Sequence, residues 1–190
     1  GCDYVILRVG YETTIDELFL QNYQKAREAG MPMGAYLYSH ATTYSGAAAE
    51  AEFCIDIFEK NNMFFEYPIY IDIEREDQLN LSTADTVSLC EGWCETLVNA
   101  GYFPGVYALL DVMYDLKKDA DFVNQYVLWV PHVGSVTADG EHYNYKSKAY
   151  NEDGYSMWQY SWFNVDVNGN YIYDGVYNYG TVKTKNLDLD

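Results

Sequence analysis

The sequence predicts a mixed α/β protein built on a mainly parallel sheet that is rolled into a barrel. β-Rich apolar runs recur roughly every 30 residues over the first two thirds of the chain, with helical patterns between them, which is typical of βαβ units. Right-handed crossovers roll such units into a barrel or a doubly wound sheet. Val9-Gly10-Tyr11-Glu12 follows the first run, where a dinucleotide-binding fold would carry its glycine fingerprint, and this favours the barrel. Catalytic groups are then expected at the C-terminal ends of the strands.

Each element has its own local signal. The predicted strands are short runs of β-branched, aromatic and aliphatic residues, and they cover residues 4–9, 33–38, 68–74, 104–109 and 127–130. The predicted helices have apolar residues three and four apart, and they cover residues 15–29, 45–60, 82–100 and 111–124. Thr14 and Glu17 form a capping box for the first helix, and Ser82 caps the third, on which Val87, Cys94, Leu97 and Val98 are expected to be buried.

The pattern changes after Pro131. Residues 132–154 are polar and contain glycine, which predicts a long loop, and a strand is predicted at residues 155–161. Asn168-Gly169 lies between alternating residues and predicts a hairpin over residues 165–173. Residues 187–190 read as the start of a last strand.

Composition excludes several classes of protein. The 190 residues include 29 acidic and 11 basic side chains, for a formal net charge of −18, so bulk charge cannot drive binding to nucleic acid or to an anionic membrane. No apolar stretch approaches the roughly 18 residues of a transmembrane helix. Residues 1–4 do not resemble a signal peptide, so we expect any targeting segment to be absent from this chain.

Tyrosine and cysteine usage leave two interpretations each. The 21 tyrosines suit strands, and their rings also suit stacking on sugars. Cys90 and Cys94 are four residues apart on a predicted helix, which favours a buried thiol pair over a metal site, since the three histidines show no ligand spacing. We therefore expect no metal and no cofactor.

The most informative segment is the strand that ends in Asp72-Ile73-Glu74. Strand side chains alternate, so Tyr70, Asp72 and Glu74 share one face of the sheet. Two neighbouring carboxylates cost desolvation and repulsion, and a strand does not need them for stability. Cleavage of a glycosidic bond needs such a pair, one as a proton donor and one that stays ionised. The alternative is that Glu74 simply starts the acidic loop 74–77.

With this strand, the chain resembles glycoside hydrolase family 25, the lysozymes that act as peptidoglycan muramidases. The matching segments run in order along nearly the whole chain: residues 5–10, Asp16 with Phe19, Asn22 and Ala26, Ala29-Gly30, Gly34-Ala35-Tyr36, Glu50-Ala51, 68–74, 101–107, Leu128-Trp129-Val130 and Trp158-Gln159-Tyr160-Ser161. The aspartate-x-glutamate strand and the Trp-Gln-Tyr strand are specific in combination.

The resemblance implies an incomplete TIM-like (β/α)5β3 barrel, with seven of the eight strands present in this chain. The family's first strand, which carries an aspartate facing the active site, is not found, so we expect an N-terminally incomplete fragment or a replacement by another segment. Residues 1–190 then form a single catalytic domain with an inserted hairpin at about 163–180.

Site residues follow from the same resemblance. Glu74 matches the general acid and Asp72 the stabilising carboxylate. Asp188 fits a further carboxylate on the last strand, and is preferred to Asp166 because Asn168-Gly169 makes the earlier segment an inserted hairpin. The aromatic candidates for a sugar-binding wall, each of which could equally be barrel packing, are Tyr38, Tyr107, Trp129 and Tyr160.

The implied activity is cleavage of the β-1,4 bond between N-acetylmuramic acid and N-acetylglucosamine in bacterial cell-wall peptidoglycan. Substrate-assisted and inverting routes both remain open. We expect a monomer that acts outside the cell or at the cell wall. A non-catalytic wall-glycan-binding module on the same fold is the alternative. A chitinase-like barrel does not fit, because Tyr70 and Tyr67 stand where that motif has aspartates.

Overall fold

The computed structural model describes residues 3–131 and 155–159, together with four later strands at 164–165, 171–172, 176–179 and 182–185. The chain divides into two compact units, Gly1–Leu128 and Trp129–Asp190. The helices are α1 (Phe19–Glu28), α2 (Tyr44–Lys60), α3 (Glu76–Leu79), α4 (Thr83–Asn99), α5 (Leu110–Leu116) and α6 (Ala120–Gln125). The strands are β1 (Val5–Tyr11), β2 (Thr14–Ile15), β3 (Met33–Tyr38), β4 (Ile69–Ile73), β5 (Pro104–Ala108), β6 (Val127–Pro131), β7 (Met157–Gln159), β8 (Asn164–Val165), β9 (Tyr171–Ile172), β10 (Val176–Tyr179) and β11 (Val182–Lys185).

The first unit contains a sheet in the order β2-β1-β3-β4-β5, and β6 begins beside β5. Strands β1, β3, β4 and β5 run parallel, and only β2 pairs antiparallel, with the end of β1. All five residues of β4 and all five of β5 are buried, as in a parallel sheet that is covered on both faces. In the second unit, the end of β6 pairs parallel with β7. This confirms a mixed α/β fold with a mostly parallel sheet.

Helices α2 and α4 pack against each other. Cys54 on α2 and Cys90 and Cys94 on α4 are buried free thiols, which confirms the predicted thiol pair. Burial raises the pKa of each thiol, so all three stay protonated near neutral pH. The α4 helix also binds the sheet directly, because the indole nitrogen of Trp93 donates to the carbonyl of Ile69 at 3.2 Å.

The close contact at Gly92 on α4 predicts whether a substitution there raises or lowers the free energy of unfolding. Alanine is about 1 kcal/mol better than glycine inside a helix, so propensity alone predicts that Gly92→Ala stabilises the protein. However, a Cβ at Gly92 would lie 2.2 Å from the backbone oxygen of Tyr44. We expect Gly92→Ala to lower the free energy of unfolding by about 1–3 kcal/mol in urea titrations. Val98→Ala, at an exposed position of the same helix, should change it by less than about 0.5 kcal/mol, and a stabilised Gly92→Ala protein would contradict the contact.

The predicted capping box at Thr14 is wrong. Thr14 and Ile15 pair with Tyr11 and Gly10 as strand β2, and α1 begins four residues later, at Phe19. Gly10 permits this turn, since a Cβ there would lie 2.0 Å from the Thr14 carbonyl oxygen. Asp16 instead stabilises the turn before α1: one carboxylate oxygen accepts from the Leu18 amide at 2.9 Å, and the other binds the Arg8 guanidinium.

Other sequence predictions have mixed outcomes. The strand at 33–38 and the helix capped by Ser82 are confirmed. Val98, however, is 51% exposed rather than buried. The single helix predicted at 111–124 is two helices, because Asp119 caps a new one by accepting from the Phe122 amide at 3.0 Å. The antiparallel pair β8-β9 confirms the hairpin. The loop at 132–154 and the strand at 187–190 lie outside the described residues. Among the described residues, none of the helices has the length and apolar character needed to span a membrane.

An ion pair connects α1 to the segment before β4. Arg27 binds Glu66, which also accepts from the amide of Met33 at 3.0 Å. The hydrogen bond from Arg27 lowers the pKa of Glu66 in the folded protein. The stabilisation is therefore complete above the ordinary glutamate pKa of 4.5 and is lost as the pH falls through the lower folded value.

We expect the difference in free energy of unfolding between the parent and Glu66→Gln to be largest near neutral pH and to shrink in acid. Urea titrations across the acid range measure it. The exposed Glu59→Gln variant gives the effect of removing a charge alone. A Glu66→Gln difference that is constant with pH would contradict this role of the pair.

Candidate active site

A row of four residues crosses the C-terminal ends of the parallel strands. Tyr11, Tyr38, Asp72 and Tyr107 are register partners on β1, β3, β4 and β5. Because register partners point to the same face of a sheet, these side chains project together. The strand ends thus bring one carboxylate into a row of phenol rings.

The preceding row supports this arrangement. Tyr36, Tyr70 and Gly105 are register partners two residues earlier on β3, β4 and β5. Tyr70 is almost fully buried, and a Cβ at Gly105 would lie 2.4 Å from Cε1 of its ring. Glycine at position 105 therefore leaves the space that the Tyr70 ring occupies, directly before Asp72 on the same face.

The two predicted carboxylates lie in different environments. Asp72 is 6% exposed within β4, whereas Glu74 lies just beyond the last strand residue, Ile73, and is exposed. The backbone of Asp72 is anchored to the neighbouring strand end, because its carbonyl accepts from the Ser39 amide at 3.1 Å. One carboxylate is thus fixed in the sheet, and the other faces solvent at the strand end.

Tyr38 lies in the electric field of both carboxylates. Its side chain is half-buried, and burial, followed by the negative charges of Glu74 and Asp72, raises the pKa of its hydroxyl. The phenol therefore stays protonated near neutral pH and remains a hydrogen-bond donor. These three residues form the group that the structure brings together.

The other candidates are placed differently. Tyr107 is 7% exposed on β5, and Trp129 is 3% exposed in the second unit, so both rings are largely in the protein interior. Tyr160, Asp166 and Asp188 lie outside the described residues, and their roles stay predictions.

Charged residues beside the strand ends were missed by the sequence analysis. Arg75, directly after Glu74, binds Asp77 through two hydrogen bonds of 3.0 and 3.1 Å. His40, two residues after β3, lies 3.4 Å from Glu12 and packs edge-on against the Tyr38 ring. Their position in the sequence could have indicated them, because both follow strand ends, where a barrel has its catalytic groups.

Two buried polar side chains were also missed. Glu50 on α2 is 4% exposed, and Gln78 on α3 is 1% exposed. The sequence carried a signal for Glu50, since it lies three residues after Ala47 and four before Cys54, on the apolar face of the helix. A charge on such a face calls for a specific partner.

A pair of carboxylates at the end of a strand, one buried and one exposed, is suited to glycosidic bond cleavage, and together with this sheet it defines the class as glycoside hydrolase. Sequence comparison gives the particular family. The chain belongs to the glycosyl hydrolases family 25, whose family model matches residues 1–167. This confirms the resemblance drawn from the sequence motifs.

Solved structures agree with this assignment. The modular autolysin LytC from Streptococcus pneumoniae is 27% identical over 85% of this chain, with a TM-score of 0.67. The spore cortex lytic enzyme SleM from Clostridium perfringens (16% identity, 84% of this chain, TM-score 0.64) and a lysozyme from Streptomyces coelicolor (19%, 86%, 0.61) share the fold. The matches cover 37%, 55% and 75% of those three chains, respectively. A search of curated proteins returns no significant match.

Proposed function

We propose that this protein is a peptidoglycan hydrolase, a muramidase that cleaves the β-1,4 bond between N-acetylmuramic acid and N-acetylglucosamine. The observation that carries the proposal is the placement of Asp72 and Glu74 at the end of β4 in a chain of family 25. The similarity to LytC supports the substrate, since that autolysin has also been solved in complex with a synthetic peptidoglycan ligand.

The proposed reaction requires Glu74 in its protonated form, which donates its proton to the leaving glycosidic oxygen. It requires Asp72 in its ionised form, which stabilises the oxocarbenium-like centre that develops at the sugar carbon. The Tyr38 hydroxyl, whose pKa is raised by burial and by both negative charges, stays protonated and can donate a hydrogen bond to the substrate. As the glycosidic bond breaks, either the substrate's own acetamido oxygen bonds to the anomeric carbon and water then opens this cyclic intermediate, or water attacks the anomeric carbon directly and gives up a proton. The first route retains the anomeric configuration and the second inverts it, so the configuration of the product identifies the route.

The wider proposal concerns residues and regions beyond this pair. The sheet belongs to an incomplete (β/α)5β3 barrel in a single catalytic domain, and Asp188 supplies a further carboxylate. The aromatic candidates for binding the sugar are Tyr38, Tyr107, Trp129 and Tyr160. The protein acts outside the cell or at the cell wall, as a monomer.

The direct test is to incubate the protein with purified peptidoglycan, reduce the new sugar ends with borohydride and identify them by mass spectrometry. Reduced muramic acid ends are expected. Reduced glucosamine ends would mean that the enzyme cuts the other glycosidic bond. Binding to sedimented peptidoglycan without any new ends would instead support the non-catalytic binding module.

A further inference from the structure

We propose that Glu50, Ser39 and Gln78 form a positioning network that fixes the Glu74–Arg75 segment against the end of β3, and so sets the position of the proton donor. This inference rests on the proposed function, because it assigns a purpose to buried polar groups that do not themselves contact substrate. The network joins α2, the segment after β3 and the segment after β4.

Gln78 connects the two strand ends. Its side-chain nitrogen donates to the Ala41 carbonyl at 2.8 Å and to the hydroxyl and carbonyl of Ser39 at 3.2 and 3.3 Å. Its side-chain oxygen accepts from the Arg75 amide at 3.1 Å. Arg75 directly follows Glu74, so one buried amide holds the backbone beside the proton donor and the segment that follows Tyr38.

Glu50 fixes the same segment from α2. One carboxylate oxygen accepts from the Ser39 hydroxyl at 2.7 Å, and the other accepts from the His40 amide at 2.8 Å. The Ser39 oxygen in turn accepts from the Ala41 amide at 3.1 Å. Residues 39–41 are therefore held by hydrogen bonds from both α2 and α3.

Stability alone does not explain this network. Burial raises the pKa of Glu50, which means that the fold works against keeping this carboxylate charged, although the bonds from Ser39 and His40 offset part of that penalty. An apolar residue on this face of α2 would avoid the desolvation. What the polar network adds is direction: its hydrogen bonds define one arrangement of the two segments that carry Tyr38 and Glu74.

Misplacing a catalytic group by about 1 Å can cost roughly 10²-fold in rate. A network that acts by positioning should therefore affect turnover more than substrate binding. It should also affect backbone order at the two segments more than in the rest of the sheet.

The test compares Gln78→Met, which removes both ends of the connection, with Glu50→Gln, a milder change that keeps the shape of the side chain. The matched controls are Gln24→Met and Glu52→Gln, at exposed positions on α1 and α2. For each protein, kcat and KM are measured on soluble peptidoglycan fragments, and amide hydrogen exchange is followed residue by residue.

We expect kcat to fall about tenfold to hundredfold in Gln78→Met, and less in Glu50→Gln, with KM changed by less than about twofold. Exchange should accelerate at residues 39–41 and at Arg75, while β4 and β5 stay protected and both controls behave as the parent. Where Gln78→Met does not fold, Glu50→Gln carries the test.

Three results would overturn the proposal. They are unchanged exchange at Arg75 and residues 39–41, faster exchange spread evenly over the sheet, and a rise in KM that accounts for the whole loss of activity. If the parent itself cleaves no peptidoglycan, the proposed function fails, and the exchange pattern alone decides whether the network orders the two segments.

Discussion

Glu74→Gln is expected to lower the rate of peptidoglycan cleavage by roughly 10²- to 10⁴-fold, the contribution of a positioned general acid. The amide has nearly the same shape but has no acidic proton to transfer to the leaving oxygen. Glu74 is exposed beyond the end of β4, so the substitution should leave the free energy of unfolding nearly unchanged. The measurement is the initial rate at which reducing ends form, with thermal unfolding recorded on the same samples.

Glu76→Gln provides the matched control. Glu76 is also exposed, lies two residues further on at the start of α3, and its substitution likewise replaces a carboxyl group with an amide. It should retain parent activity. A Glu74→Gln protein within about threefold of the parent would exclude Glu74 as the proton donor, since a general acid contributes far more than that.

Asp72→Asn is expected to lower kcat/KM by roughly 10²-fold or more, because it removes the negative charge that faces the developing positive charge. Asp72 is 6% exposed, so little water is available to replace the lost interaction. The isosteric amide keeps the register with Tyr38 and Tyr107, and the sheet should stay intact. Cleavage kinetics and circular dichroism measure the two effects separately.

The control for this variant is Asp56→Asn, at an exposed position on α2. It tests whether a change of one unit in the large net negative charge affects the reaction by itself. Asp72→Asn with normal kcat/KM and a normal fold would remove Asp72 from the catalytic pair, and would leave Glu74 to act with another carboxylate.

Sequence patterns were sufficient where the signal is local. The strand at 33–38 and the Ser82 cap were predicted correctly, because alternation, β-branched runs and capping side chains act within a few residues. The placement of Asp72 and Glu74 at a strand end also followed from alternation along a single strand. The family followed from motifs that lie in order along the chain, and its model matches residues 1–167.

Local patterns failed where distant groups compete. Thr14 to Glu17 has the residues of a capping box, but pairing with β1 and the ion pair between Arg8 and Asp16 direct this segment into a turn. Val98 has helical spacing that predicts burial, yet the helix turns it towards solvent. In both cases, contacts that form only in the folded chain outweigh the local helix preference. The free energy of that preference is well below a few kcal/mol.

By itself, the sequence determined the class of fold, the family and the placement of Asp72 and Glu74 at the end of one strand, because each depends on residue types at fixed spacing along one strand or along the chain. The tertiary structure decided which groups surround that pair. Tyr38 meets the two carboxylates only because β3 lies beside β4 in one register, and Glu50 and Gln78 meet at Ser39 only because α2 and α3 pack beside the same strand end. Such meetings depend on side chains that are far apart in sequence, and no local periodicity encodes them.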